Sequence, residues 1–325
     1  MKARFALLET LSDGKFHSGQ ALGESLGVTR AAVWKQLRAL TGLGLTIHAV
    51  RGRGYQLAQP IDLLTAKAIN SHLSDRAREH IAQLDILPDV DSTNTYLKMH
   101  AVRGAASGTV CLAERQSAGR GRQGRQWVSP FGCNLYLSLL WRFVDGPTTL
   151  AGLSLAVGVA LARALRTFVP QDIGLKWPND LVWQGQKLAG ILVEIAGESA
   201  GPSYAVIGVG INVRMPTAAS DNINQPWTDL YRISQKTPSR NALAAAVLEQ
   251  LVTVLCEFER QGLSVFLDEW RRLDSMAGRD VQIHMHDSVI AGTAKGIDDN
   301  GALMLQVGDE LRRFASGEVS LRMAQ

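Results

Sequence analysis

What this chain lacks narrows its class before any motif is considered. It has only three cysteines, Cys111, Cys133 and Cys256, odd in number and widely spaced, which speaks against both a disulfide framework and a zinc site. No stretch approaches the roughly 20 uninterrupted apolar residues of a membrane span. The opening Met1-Lys2-Ala3-Arg4-Phe5 has neither the long apolar region nor the cleavage site of a secretory signal. These absences point to a soluble, cytoplasmic protein with no membrane partner. The 325 residues, 46% of them hydrophobic, suffice for a sizeable core, and the length fits about two domains with room for a small third.

Net positive charge is scarce except at one end. Residues 1–60 carry eight Lys/Arg against three acids, a net +5, in a chain whose total is +4. An excess confined to one end is expected where that part alone meets a polyanion. Phe5, Leu7, Leu8 and Leu11 mark a first amphipathic helix, closed by Ser12-Asp13-Gly14. Ser18 caps a second helix carrying Leu22 and Leu26, Gly27 makes the turn, and Thr29 caps a third, Arg30–Thr41, with Val33, Leu37 and Leu40 on one face. Helix, glycine turn, helix is the helix-turn-helix arrangement. Residues 45–50 and 55–57 flank a basic turn and read as a wing. The candidate DNA contacts are therefore Thr29, Arg30, Trp34, Lys35, Arg38, Arg51 and Arg53. A compact helical domain with no DNA role is the alternative.

From about residue 84, short apolar runs alternate with helical ones, which argues for a mixed sheet with helices packed on it. Its organising stretch is Gly119-Arg120-Gly121-Arg122-Gln123-Gly124-Arg125-Gln126-Trp127, three glycines and three arginines in nine residues. Glycines let backbone N–H groups approach a ligand, and arginines offer fork-shaped donors for phosphates and carboxylates. A solvated basic loop or an arginine-glycine segment for RNA is the alternative. Lying between strands at 111–114 and 134–141, the loop is expected to join two strands at a sheet edge. Ser92, Thr93 and Asn94 either cap a helix beginning at Tyr96 or bind a polar ring or carbonyl, and Gln116 leads into the loop.

Residues 153–169 read as an apolar core helix, followed by the polar turn Lys176-Trp177-Pro178-Asn179-Asp180. Lys187 opens an apolar strand, where a lysine snorkels or has a partner or task, and Asn212 ends a further strand, where ligands gather in open α/β sheets. After helices at Arg240–Gln261 and 264–273, short runs at 281–285, 288–297, 303–307, 311–314 and 319–322 read as a small β-barrel, with His284 and His286 as surface histidines rather than a metal pair.

Together, Asp91-Ser92-Thr93-Asn94, the glycine-arginine loop, Lys176 to Asp180, the strand from Lys187 to Glu194 and Gly208-Val-Gly-Ile-Asn212 resemble the biotin protein ligases. With the winged helix in front, the resemblance is to the bifunctional bacterial members that also repress the biotin operon, and it covers essentially the whole chain. It implies a multidomain α+β fold: a winged helix-turn-helix at 1–62, a mixed α/β catalytic domain of the biotin/lipoate ligase type at 63–276, and an SH3-like β-barrel at 277–325. It implies ATP and Mg²⁺, activation of biotin to biotinyl-5′-AMP, and transfer to a lysine of the biotin carboxyl carrier protein of acetyl-CoA carboxylase.

By resemblance, Ser92, Thr93, Asn94, Gln116, Arg120, Gly121, Arg122 and Lys187 contact biotin and its acyl phosphate. Asn179, Asn212, Trp227 and Arg322 are the expected nucleotide contacts, and Asp180 is expected beside the incoming acceptor lysine. Lys187, Arg120, Arg122 and Asp180 form the expected catalytic set, with no protein-held metal. Gln123 and Gln126 stand where relatives often carry further cations. The same resemblance makes operator DNA and a homodimer formed on adenylate binding the expected partners. Two other functions fit the residues: a biotin-responsive transcription factor without catalysis, and a lipoate or octanoate ligase.

Overall fold

The computed structural model describes residues 2–146, 150–169, 173–197, 201–221, 223–285, 288–315 and 320–323. The N-terminal unit consists of helices α1 (Lys2–Leu11), α2 (Gly19–Leu26) and α3 (Arg30–Thr41), then an antiparallel hairpin of β1 (Ile47–Val50) and β2 (Gly54–Leu57). Ser18 and Thr29 cap α2 and α3 by accepting from the N–H groups of Ala21 and Ala32, which satisfies donors a helix start leaves without partners. Gly27 leaves α2 at φ 62°, a left-handed conformation that favours glycine. Leu7, Leu8, Leu11, Leu22, Val33, Leu37, Leu40 and Leu57 close a small separate core. The opposite face of α3 holds Arg30, Trp34, Lys35 and Arg38, all exposed. The Arg38 guanidinium lies 4.9 Å from the Trp34 ring centroid, and Arg53 of the wing lies 4.1 Å from that of Phe16.

The central unit is a seven-stranded sheet of β3 (Gln83–Leu87), β4 (Thr109–Ala113), β5 (Leu135–Phe143), β6 (Gly174–Lys176), β7 (Asp180–Trp183), β8 (Gln186–Gly197) and β9 (Ser203–Ile211). The strand order is β3-β4-β5-β9-β8-β7-β6, and only β3 and β4 run parallel. Around it lie α4 (Ala66–His72), α5 (Asp75–His80), α6 (Thr93–Val102), α7 (Leu153–Leu165), α8 (Thr217–Ser220), α9 (Leu230–Ser234), α10 (Arg240–Gln261) and α11 (Leu267–Leu273). Helix α7 is apolar almost all round because it is sandwiched between the sheet and α10. Helix α10 is long and apolar enough to cross a bilayer, yet its leucines and valines are buried in this core. On the other face α6 covers Cys111, Leu140 and Val206 with Leu97 and Ala101.

Two expectations are corrected. Helix α6 starts at Thr93 rather than Tyr96, because Ser92 is the residue that caps it and so draws Thr93 and Asn94 into its first turn. The glycine-arginine loop joins β4 to β5, which are interior strands; β3, added in parallel outside β4, takes the sheet edge instead. The loop therefore emerges at the strand ends. An open edge lies elsewhere: β7 pairs with β8 only as far as Gly190, and among the described residues no strand flanks the outer side of 192–197.

The C-terminal unit is a five-stranded antiparallel sheet in the order β13 (Glu310–Phe314), β12 (Leu303–Val307), β11 (Val289–Ile297), β10 (Asp280–His284), β14 (Ser320–Met323). Its apolar side, with Val281, Ile283, Leu303 and Leu305, joins the central core. The Trp177 indole N–H donates to the Gly301 carbonyl at 3.1 Å across that junction. His284 is partly buried, and His286 lies outside the described residues.

One buried knot ties the units together. Arg240 and Glu114, 2% and 0% exposed, are paired at 2.7 Å. Arg240 also donates to the Asn134 carbonyl, and Asp62 accepts from the Arg240 backbone N–H, the Ser239 hydroxyl and the Asn241 amide. Glu114 accepts from the Leu64 N–H as well. Phe131, beyond the glycine-arginine loop, is buried in the N-terminal core rather than the central one. Removing one partner of such a pair strands a charge in a dry environment. Arg240→Met is expected to lower unfolding stability by roughly 3–5 kcal/mol, measured by urea denaturation; a change below about 1 kcal/mol would refute the knot's importance.

Candidate active site

The cleft is built where β8, β9, the N-terminus of α6 and the glycine-arginine loop converge. Strand alternation puts Gly190, Leu192 and Glu194 on one face of β8, opposite Gly210, Gly208 and Val206 of β9. The glycines make the hollow. A Cβ on Gly210 would meet the Trp127 ring at 2.4 Å, and one on Gly208 would meet Asn94 Oδ1 at 2.2 Å. The indole of Trp127 thus lies against bare backbone, its N–H buried with no partner among the described residues. The cleft encloses about 780 Å³ of empty space including its open mouth.

Ten of the residues expected at the site line this one cleft: Ser92, Thr93, Asn94, Gln116, Arg120, Gly121, Arg122, Asn179, Asp180 and Lys187. Its floor is polar and ordered. Gln116 Oε1 accepts from the Thr93 N–H at 2.9 Å and from its hydroxyl at 3.1 Å. Ser138 Oγ, fully buried on β5, lies 2.7 Å from Thr93 Oγ1 and 2.6 Å from Asn94 Oδ1. The Asn94 amide donates to Glu194 Oε2 at 3.0 Å. Every group on this floor is fixed by a neighbour, so a ring with its own donors and acceptors meets a preset pattern.

The walls are cationic. Lys187 Nζ lies 2.7 Å from Asp180 Oδ1, an ion pair made without hydrogen-bond geometry, and 5.4 Å from the Trp127 ring centroid. Arg122 donates to Asn179 Oδ1 at 3.4 Å, while the Asn179 amide donates to the Ile191 carbonyl at 2.6 Å. Burial pulls the Arg122 guanidinium below its ordinary range, and the charge of Asp180 opposes that shift. Arg120 reaches Glu194 at 3.1 Å. Burial pushes the Glu194 carboxyl up, but hydrogen bonds from Lys98 and Asn94 and the charge of Arg120 outweigh it and hold the group below its ordinary value.

Other expected residues stand apart from the lining. Asn212, buried at the end of β9, donates to the Thr228 carbonyl at 3.0 Å, and its Oδ1 has no hydrogen-bond partner among the described residues. Trp227 joins the site through its backbone, beside Lys187, whose N–H donates to the Pro226 carbonyl; the Arg232 guanidinium stacks 3.8 Å from its ring centroid. Arg322 pairs through its backbone with Gln282, and its side chain lies outside the described residues. The seven expected DNA contacts belong to the N-terminal unit, remote in sequence from the cleft. Sequence reasoning missed Ser138 and the part played by Glu194, which neither periodicity nor composition marks. The glycines at 190, 208 and 210 were the legible signal for a hollow between two strands.

The chain is thus a multidomain α+β protein in which a mixed sheet with a cation-walled, polar-floored cleft stands between a winged helix and a small antiparallel sheet. Comparison agrees at each part. Residues 87–212 match the biotin/lipoate A/B protein ligase family, 3–56 match an HTH domain, and 277–322 match the biotin protein ligase C terminal domain. The bifunctional ligase/repressor BirA of Salmonella typhimurium is 43% identical over 98% of this chain and 97% of its own, and that of Escherichia coli is 42% identical over the same shares. The biotin protein ligase of Aquifex aeolicus, solved with biotin and ATP, superposes with a TM-score of 0.64 at 30% identity, covering 75% of this chain and all of its own. The chain belongs to the family of bifunctional biotin protein ligase/repressors.

The glycine hollow generates a prediction of its own. Gly210→Ala is expected to expel Trp127, costing about 1–3 kcal/mol of stability and shifting tryptophan emission to the red. A Trp127→Phe background should remove the spectral shift. Unchanged emission in the single variant would show that the indole does not rest on Gly210.

Proposed function

We propose that the protein activates biotin with ATP, transfers it to a carrier-protein lysine, and represses biotin-synthesis genes with the adenylate as corepressor. The observation that carries this reading is that Lys187, Arg120 and Arg122 share one cleft with the ordered floor of Thr93, Asn94 and Gln116. In the first step the biotin carboxylate oxygen attacks the α-phosphorus, the bond to pyrophosphate breaks, and biotinyl-5′-AMP forms. Two anions must approach each other, so cations that offset their repulsion and the spreading charge dominate catalysis. Lys187, Arg122 and Arg120 supply them. Mg²⁺ would accompany the ATP phosphates and help to neutralise their charge. In the second step the acceptor amine attacks the acyl carbon and AMP leaves, with Asp180 placed to orient the amine or take its proton.

The floor favours biotin over lipoate, since a ureido ring uses the donors and acceptors that a dithiolane ring leaves unmatched. The buried Oδ1 of Asn212, without a hydrogen-bond partner among the described residues, suits the exocyclic amine of adenine, and Asn179 serves the nucleotide side by holding Arg122. Trp227 covers the base, and Arg322 completes the expected set of nucleotide contacts. The chain divides at residues 62 and 276, and the separate N-terminal core supports the first of these divisions. We assign the protein to the cytoplasm, where its carrier-protein and DNA partners lie.

Biotin plus ATP should release pyrophosphate, and Lys187→Ala should slow adenylate formation by about 100-fold or more. A wild-type protein that binds biotin and releases no pyrophosphate would be a sensor instead. For repression, α3 and the wing bind DNA as a pair, and the open edge of β8 at 192–197, with Ile195 exposed, offers the surface for pairing. Sedimentation should show monomer without adenylate and dimer with it; a monomer in both states defeats this mode of regulation.

A further inference from the structure

The Glu194 carboxylate collects donors from two directions beside its own strand. Lys98 Nζ of α6 lies 2.8 Å from Oε1, Arg120 Nη1 of the loop lies 3.1 Å from Oε1 and 3.3 Å from Oε2, and the Asn94 amide of the floor lies 3.0 Å from Oε2. Strand alternation places Glu194 on the same face as Gly190 and Leu192, one step beyond the cleft lining. We propose that Glu194 is a positioning residue of the ligase reaction: it latches the loop, through Arg120, onto the floor of the cleft and so sets how long an acyl adenylate stays enclosed. This rests on the ligase reading above and adds a residue to it.

The contacts form a circuit. From Gln116, where the loop begins, the polar chain runs through Thr93, Ser138 and Asn94 to Glu194, and returns to the loop at Arg120. What holds Arg120 also holds the far limb of the loop. Arg120 bridges to Gln126, Gly121 N–H donates to the Arg125 carbonyl at 2.7 Å, and Trp127 N–H donates to the Gly119 carbonyl at 2.8 Å. A latch at Arg120 therefore fixes Trp127 over the glycine hollow. The pair is partly exposed, with Arg120 at 45% and Glu194 at 18%, so it exchanges with solvent at modest cost. Lys98 keeps the carboxylate neutralised when Arg120 leaves, so opening strands no charge.

The test is a double-mutant cycle on the full chain, reading dissociation of synthetic biotinyl-5′-AMP by stopped flow. Glu194→Gln, isosteric and neutral, is expected to speed dissociation about tenfold, with a wild-type melting midpoint as the control for folding. Arg120→Ala should speed it at least as much, and the double variant should be no faster than Arg120→Ala alone. Glu194→Asp, which restores the charge on a shorter stem, should recover part of the loss. A wild-type rate in Glu194→Gln overturns the latch, as do effects that multiply in the double variant, since Glu194 would then act through the floor alone. Because the adenylate is supplied, absence of pyrophosphate release from biotin and ATP sinks the ligase reading and leaves the latch to be judged by these rates.

Discussion

The constraint on which the site depends is electrostatic: several cations must share one partly dry cleft before any anionic substrate arrives. Left to themselves they would repel one another and weaken the compact state. The fold answers with counter-ions and hydrogen-bond partners from its own strands. Asp180 of β7 stands against Lys187 of β8, Glu194 of β8 stands against Arg120, and Asn179 accepts from Arg122. Because β7 and β8 are adjacent and antiparallel, with Asp180 opposite Gly190 and Lys187 opposite Val182, the lysine side chain meets the acid at the start of β7 by reaching back along the strand pair. Substrate anions then displace carboxylates rather than water alone. The site is organised before it is filled, which is where electrostatic catalysis gains most.

The same loop that carries two of these groups is rooted in the rest of the molecule. Glu114 ends the segment that leads into it and is locked to Arg240 and the linker N–H of Leu64, while Phe131 beyond the loop is buried with the helices of the DNA-binding unit. Gly132, at φ 69°, adopts a left-handed conformation, and a Cβ there would meet Ile61 of the linker at 2.9 Å. The two roots of the loop are thus packed directly against the linker and the core of the N-terminal unit. The contact between the two units runs through one aromatic side chain and one buried ion pair.

Much of this was legible in the residues. Capping by Ser18 and Thr29, the glycine turn at Gly27, the hairpin wing and the alternation of strands 303–307 and 310–314 are local, and local chemistry survives folding. The cleft was legible because its groups sit in short, dense motifs. What escaped depends on pairing between distant segments. The position of β3 outside β4 cannot be read from either strand, so the loop was assigned to an edge that another strand occupies. Ser138 is one hydroxyl in an apolar strand, and only the register of β5 against β9 and the placement of α6 turn it into a bridge between Thr93 and Asn94. Glu194 closed a recognised motif, yet its partners Lys98 and Arg120 are 96 and 74 residues away.

The burial of the ion pairs separates what is permanent from what exchanges. Arg240 and Glu114, with side chains 3% and 0% exposed, would cost several kcal/mol to part because each charge would be left in a medium that cannot solvate it. That pair suits a hinge point whose geometry must not change. Arg120–Glu194, with side chains 45% and 18% exposed, lies where water still screens the charges, so parting costs little; Lys187–Asp180, with both side chains 18% exposed, lies between these two cases. Those pairs suit groups that must leave one partner for another during a reaction. Had the cleft buried its cations as deeply as the knot at Arg240, they would bind their own carboxylates too well to accept a substrate; had it exposed them fully, they would not hold the loop. The partial burial follows from the position of β8, covered by β7 over its first half and open beyond Gly190, so the sheet's topology sets the strength of the clasp.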